Sequence, residues 1–260
     1  PEEAKLIHCC TGGNADYAVY RARCRSSSRA VTFEGFEPVE FYLGFRGMEP
    51  ALAALAALLD QTTALHRHLC PRQVLGVRLG LLGGACLGLV VPQPFESKRL
   101  IAIVETDGCF ADGVSTAANC WTGRRTLRVE DYGKVAATFI DTFSGRAVRI
   151  HPHPEARERA RALAPEAPNR WQAQLLGYQR LPDAELLVVT PVALTLALEK
   201  LVSRAGYRVT CARCNEEVIN EREVVRDRVT LCRACADAAY YRAIDVREPA
   251  RVDAHCDLDA

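Results

Sequence analysis

Four cysteines in two pairs constrain this chain more than any other feature. Cys211-x-x-Cys214 is followed after seventeen residues by Cys232-x-x-Cys235. Two residues between paired cysteines allow a tight knuckle that aims both sulfurs at one ion, and four thiolates satisfy tetrahedral zinc without outside help. Two disulfides are the alternative. A chain of 260 residues with 12 cysteines is too long to need a disulfide scaffold, so the spacing points to metal in a reducing compartment. Val218, Val224, Val225 and Val229 lie among charges between the pairs, which suits a small hairpin. Ala234 to Tyr241 reads as a helix, with Cys232 and Cys235 at its first turn. A closed four-cysteine site contributes folding energy and leaves no coordination position for substrate, so by itself it does not make the chain an enzyme. Nor does it indicate nucleic acid: Arg222, Arg226 and Arg228 are offset by Glu216, Glu217, Glu221, Glu223 and Asp227, and the whole chain carries a net charge of only +1.

The rest of the chain has the composition of a globular protein, with 49% hydrophobic and 25% charged residues. Leu52, Leu55, Leu58, Leu59 and Leu65 recur at helical spacing and predict a helix over 49–65. Pro71, favoured at a first helical position, should open a second helix running toward Gly83-Gly84. Leu100 to Val104 reads as a buried strand broken by Asp107-Gly108, and Asp112 to Asn119 as a helix. Strands are expected at 125–130, 134–141 and 146–150, and two short helices within 154–180. Leu186 to Leu198 fits either strand or helix. Helices and strands interleave without a regular βαβ rhythm, so the fold class is α+β. The longest apolar run, Leu79 to Val91, is too short for the ~20 residues of a membrane span. No signal peptide is visible after Pro1-Glu2-Glu3, and the expected location is cytoplasmic. The expected organisation is an uninterpretable segment at 1–47, a core domain at 48–205, the finger at 206–245 and a tail at 246–260.

A second cluster lies inside the core. His66-Arg67-His68-Leu69-Cys70 precedes Pro71, and a residue before proline is biased to extended backbone. If 66–70 is extended, His66, His68 and Cys70 share one side. Cys70 would then cap the following helix, whose positive end favours thiolate. That combination suits a metal ligand or a nucleophile; an ordinary helix-entry loop is the alternative. Cys109, after the strand-end Asp107-Gly108, is the natural fourth member. Cys120 is a weaker one, because an intervening helix would hold the two sulfurs on the order of 12–16 Å apart.

These residues resemble the H-G-H-x-C-P-G…G-x-R signature of the formylmethanofuran dehydrogenase E-subunit family. Glu105-Thr106-Asp107-Gly108-Cys109, Asp112, Cys120, Gly123 and Tyr132-Gly133-Lys134 follow in that family's order. The resemblance covers roughly 50–245. It implies an α+β core, an auxiliary treble-clef zinc finger and a homodimer. Arg67 and Arg72 stand where the family has glycine. On this resemblance the expected function is that of a metal-binding accessory subunit or maturation partner of a molybdenum or tungsten oxidoreductase of one-carbon metabolism. A stand-alone enzyme using His66, His68, Cys70, Cys109 and Cys120 as a metal or thiolate pocket is the second reading, and a zinc-finger interaction module the third. The expected cofactors are structural zinc at Cys211, Cys214, Cys232 and Cys235, and a second divalent metal in the core pocket.

Overall fold

A computed structural model describes residues 48–202, 204 and 206–242. The segment expected at 1–47 and the tail at 246–260 lie outside the described residues. The chain divides after Val202 into two compact units.

The first unit opens with helix α1 (Met48–His66), which carries Leu55, Leu58 and Leu59 into the core at the expected spacing. Helix α2 (Pro71–Leu87) begins at the proline, but it passes through Gly83-Gly84 and ends at a left-handed Gly88. It is buried almost all round, with Val74, Val77, Leu79 and Leu87 at most 1% exposed. A helix flanked on every side needs no amphipathic stripe, which is why its residues show no helical period. Strand β1 (Leu100–Val104) leads into helix α3 (Cys109–Ala118), which starts three residues before the expected Asp112. Strand β2 (Leu127–Val129) then lies parallel to β1, so β1-α3-β2 is a crossover unit. Strands β3 (Ala137–Asp141), β4 (Ala147–Pro152) and β5 (Leu187–Val192) add antiparallel partners, giving the order β2-β1-β3-β4-β5. Between β4 and β5 come helices α4 (Ala156–Leu163), α5 (Arg170–Arg180) and the single turn α6 (Asp183–Leu186). The ambiguous 186–198 segment is therefore strand first, and helix α7 (Leu198–Val202) follows it.

One sheet face meets the helices through Leu100, Ala102, Val104, Phe139, Val148 and Ile150. The other carries Ile101, Ile140 and Ala147, packed with Leu198 and Leu201 of α7. Inside the helical layer, Arg78 of α2 donates to the carbonyls of Tyr178 (2.8 Å) and Leu181 (2.7 Å) and pairs with Asp183. It thereby satisfies carbonyls that α5 leaves open at its end.

Helices α2 and α3 meet backbone to backbone. A Cβ on Gly76 would lie 2.3 Å from the Phe110 carbonyl oxygen, and one on Gly80 would lie 2.6 Å from Ala117 Cβ. Contacts advance in the same direction along both helices, so the two run parallel. Their amino ends, at Cys70 and Cys109, open at the same end of the layer. Their carboxyl ends share the other, where Arg146 reaches the Leu87 carbonyl (2.6 Å) and Arg124 the Asn119 carbonyl (2.9 Å).

The second unit contains two small hairpins, β6 (Arg208–Thr210) with β7 (Glu217–Ile219) and β8 (Val224–Arg226) with β9 (Val229–Leu231). The helix expected from Ala234 to Tyr241 is only a turn, Ala234–Ala238. Asp237 breaks it at φ 66°, in the left-handed region, and is held there by Arg226 at 2.7 Å.

Candidate functional site

The core site forms at the carboxyl end of β1, where open α/β units characteristically place ligands. Gly108, at φ 71°, turns the chain from strand into helix. That turn puts Cys109 in the first turn of α3. Across from it, Cys70 has extended backbone (φ −128°, ψ 159°) before Pro71, as a residue preceding proline should. Its amide donates to Gln73 Oε1 at 2.7 Å, and Gln73 Nε2 reaches the Thr62 carbonyl at 3.2 Å. Helices α1 and α2 therefore together fix the position of Cys70.

The two thiols are near enough for Cys70 to affect the ionisation of Cys109. Cys70 is buried and Cys109 is half-buried. Burial pushes the Cys109 thiol up, as do the Cys70 side chain and the nearby Asp112 carboxylate. Helix-end polarity, which favours thiolate, is outweighed here at Cys109. Once one of two adjacent thiols has ionised, the second proton is harder to remove.

The histidines are arranged differently from the alternation expected for an extended segment. Helix α1 continues through His66, and Arg67 then turns the chain at φ 62°. His66 and His68 are therefore not successive same-side positions of a strand. His68 is exposed, and the side chain of His66 lies outside the described residues. Cys120 stands apart from the pair. It follows the far end of α3, a helix of ten residues and hence ~15 Å long. Its thiol is 1% exposed, donates to the Leu100 carbonyl at 3.4 Å, and is pushed up to about 12 by burial. That is a neutral core thiol rather than a member of the pocket.

Sequence reasoning missed Arg149. Its guanidinium grips the carboxylate of Glu105, the residue just beyond β1, with Nε–Oε1 at 2.6 Å and Nη2–Oε2 at 2.7 Å. The hydrogen bond from Arg149 holds the Glu105 carboxyl below its ordinary range, with Lys134 and His151 adding positive potential. The Glu105 carbonyl accepts from the amides of Tyr132 (3.0 Å) and Lys134 (3.1 Å), which pins the Tyr132-Gly133-Lys134 loop beside the strand end. The available signal was a charge inside an alternating strand: Val148 and Ile150 face the helices, so Arg149 must face the opposite side.

In the second unit, Cys211, Cys214, Cys232 and Cys235 bring their sulfurs within 4.8 Å of one another. Among the described residues they are the one group of three or more His, Cys, Asp or Glu that converges this closely. Four ligands at ~2.3 Å around a tetrahedral ion would have sulfurs ~3.8 Å apart. Cys214 and Cys232 are 3.9 Å apart. Backbone N–H groups of Cys214 and Cys232 hold the Cys211 thiol down at about 6, while the neighbouring cysteine side chains push Cys235 up to about 12. Sulfurs this close cannot all ionise without a cation between them. The donor set therefore fits a metal ion.

The core also matches known proteins. Residues 65–188 match the family model described as "FmdE, Molybdenum formylmethanofuran dehydrogenase operon". A "Probable S-adenosyl-L-methionine-binding protein" of Archaeoglobus fulgidus is 32% identical over 102 residues, 39% of this chain. The chain spans only 28% of that relative's length. A tungsten formylmethanofuran dehydrogenase FmdE-like protein from Syntrophus aciditrophicus has a solved structure that covers 72% of this chain and 95% of its own, with 23% identity and a TM-score of 0.45. The core of this chain, matched over residues 65–188, belongs to the FmdE family.

Proposed function

We propose that this protein is a metal-binding accessory subunit or maturation partner of a molybdenum or tungsten oxidoreductase of one-carbon metabolism. The observation that carries the reading is the FmdE family match, whose description ties the family to a molybdenum formylmethanofuran dehydrogenase operon. In this reading the finger binds structural zinc, the chain pairs as a homodimer in the cytoplasm, and the Cys70–Cys109 pocket is the working centre of the core. His66 and His68 are the nearest imidazoles in sequence to complete a divalent metal site there. Cys109 is its accessible thiol. No described helix is long and apolar enough to cross a membrane.

Purification of the tagged full chain from its native host, with metal analysis of the product, tests this. One zinc per chain and a co-purifying molybdenum- or tungsten-containing oxidoreductase are expected. A homogeneous protein with zinc and no such partner, from cells grown with either metal, refutes the accessory role.

The adjacent thiols favour a second reading, a stand-alone domain that uses Cys109 with Cys70 as a metal or thiolate centre. The name of the archaeal relative adds S-adenosylmethionine as a ligand to try. Saturable binding by the isolated chain, abolished by Cys109→Ser, would favour this reading over the first.

A further inference from the structure

We propose that the three segments gathered at the carboxyl ends of α2 and α3 form a docking surface for an acidic, carboxylate-rich segment of another protein. Residues 88–99, 119–126 and 141–146 carry five cations, Lys98, Arg99, Arg124, Arg125 and Arg146, against two carboxylates, Glu96 and Asp141. Hydrogen bonds tie the segments into one surface. Asn119 Nδ2 donates to the Gln93 carbonyl at 2.7 Å, Arg124 Nη2 to the Ser97 carbonyl at 2.9 Å, and the Thr142 amide to the Arg99 carbonyl at 2.8 Å. Part of the charge has a structural duty. Arg146 and Arg124 satisfy the helix-end carbonyls described above, and Arg99 holds the Asp141 carboxylate with Nε–Oδ1 at 3.0 Å. Carbonyls carry no net charge, so these bonds leave most of the positive potential in place. Even after the two helix ends offset about half a charge each, about two positive charges remain in excess. The whole chain carries only +1, so this end is a local positive pole that can steer an acidic partner. The crowding shows at Lys98, whose ammonium is pushed down by partial burial and by the Arg125 and Arg124 guanidiniums. An incoming carboxylate would relieve it.

Two aromatic rings lie open on the same surface, Phe95 at 68% and Phe143 at 62% exposed. Each has a guanidinium over it: Arg124 Cζ lies 4.4 Å from the Phe95 centroid and Arg99 Cζ 5.6 Å from that of Phe143. Stacking holds the cations in place, so less side-chain freedom is lost when they meet an anion. Exposed aromatic rings among arginines are the composition of a protein interface. The arrangement favours carboxylates on a polypeptide over the phosphates of a nucleic acid. Single-stranded nucleic acid needs a basic groove that follows its backbone over several nucleotides. Here the cations form one compact spot, with Lys98 close enough to feel both Arg124 and Arg125. Arg99 already takes a carboxylate through two guanidinium nitrogens, Nε at 3.0 Å and Nη2 at 3.3 Å. A segment with acidic residues beside apolar ones would match the cations and the rings together. This surface does not depend on the accessory role proposed above; that role would only say which protein supplies the acidic segment.

The test uses the full chain with its finger zinc-loaded and a fluorescein-labelled peptide of repeated Glu-Glu-Phe, followed by fluorescence anisotropy. Binding should saturate at low salt and weaken about tenfold between roughly 20 and 200 mM salt. The same peptide with glutamine for glutamate should not bind. The double variant Lys98→Glu with Arg125→Glu should weaken binding about tenfold or more, since like charges then face the peptide. Reversal at these two positions spares the bonds of Arg146, Arg124 and Arg99 described above. If it nevertheless lowers the unfolding midpoint, Lys98→Gln with Arg125→Gln decides, and should still weaken binding about threefold. Arg161→Glu with Arg170→Glu makes the same charge change at exposed positions of α4 and α5 and should leave binding within about twofold. The proposal is overturned if the acidic peptide does not bind, if its glutamine analogue binds as well, or if the Arg161 and Arg170 reversals weaken binding as much as those at Lys98 and Arg125. It is equally overturned if oligothymidylate or phosphatidylserine vesicles bind more tightly than the peptide and lose that binding on reversal of Lys98 and Arg125. No oxidoreductase takes part, so the co-purification described above can fail independently of each of these outcomes.

Discussion

Replacing Gly76 by alanine should destabilise the core by about 2 kcal/mol. The added methyl would sit 2.3 Å from the Phe110 carbonyl oxygen, 2.9 Å from the Val114 nitrogen and 3.0 Å from Gly113 Cα. All three obstacles are backbone of α3, so no side chain can swing aside and the helices must separate. Overpacking of a tight core costs ~1–3 kcal/mol, and a clash with backbone belongs at the upper end. Alanine is the better helix former by ~1 kcal/mol, which offsets part of the cost. A net loss near 2 kcal/mol corresponds to a fall in Tm of about 4–8 °C for a unit of roughly 150 residues. Both tryptophans, Trp121 and Trp171, lie in the first unit, so fluorescence during urea unfolding reports that unit alone. Gly123→Ala is the control, since a Cβ there would meet nothing within 4 Å, and it should stay within ~0.5 kcal/mol of wild type. A Gly76→Ala midpoint equal to or above wild type would refute the close crossing of α2 and α3.

Three further outcomes follow from other parts of the molecule. Any one of Cys211→Ser, Cys214→Ser, Cys232→Ser or Cys235→Ser should lower bound metal below one ion per chain and leave tryptophan-monitored core unfolding in place; full metal occupancy in all four variants would show that the finger assignment is wrong. Arg149→Met should cost about 2 kcal/mol at neutral pH by leaving the buried Glu105 carboxylate without its partner. The Glu105 carboxyl is depressed in the folded state, so its contribution is present above the ordinary carboxylate range and disappears as pH falls through the lower folded value; the Arg149→Met penalty should shrink in acid, and one that is unchanged at low pH would contradict the pairing. Cys120 titrates at about 12 when folded, so the native state holds a proton that the unfolded chain releases near the ordinary thiol value. Stability should therefore fall as pH rises from ~9 toward 12, and the slope should flatten in Cys120→Ala if the buried thiol is its source.

Features carried by short-range spacing were legible from the chain alone. The two cysteine knuckles need only a tight turn each, and their four sulfurs do converge. Helix α1 shows its apolar stripe because one of its faces meets solvent, and Pro71 marks the start of α2 because its ring forbids any earlier helical hydrogen bond. The β-branched run of β1 reads as a strand because it is covered on both faces. What eluded the sequence depended on partners far along the chain. The 186–198 segment becomes a strand first because β4 offers it an edge from Ala147 to Pro152. Arg149 looks like an isolated charge until the sheet register places it across β3 from Glu105. The pocket shows the division most clearly. His66, His68, Cys70, Cys109 and Cys120 could be named from residue type and local spacing, but which of them meet could not be read there. That was decided by Gly76 and Gly113, which let two parallel helices approach until their amino ends, and the two thiols on them, lie side by side. The same ten-residue helix carries Cys120 about 15 Å away into the core. Periodicity and spacing act within a dozen residues, whereas a site shared by two helix ends exists only once complementary surfaces have closed on each other.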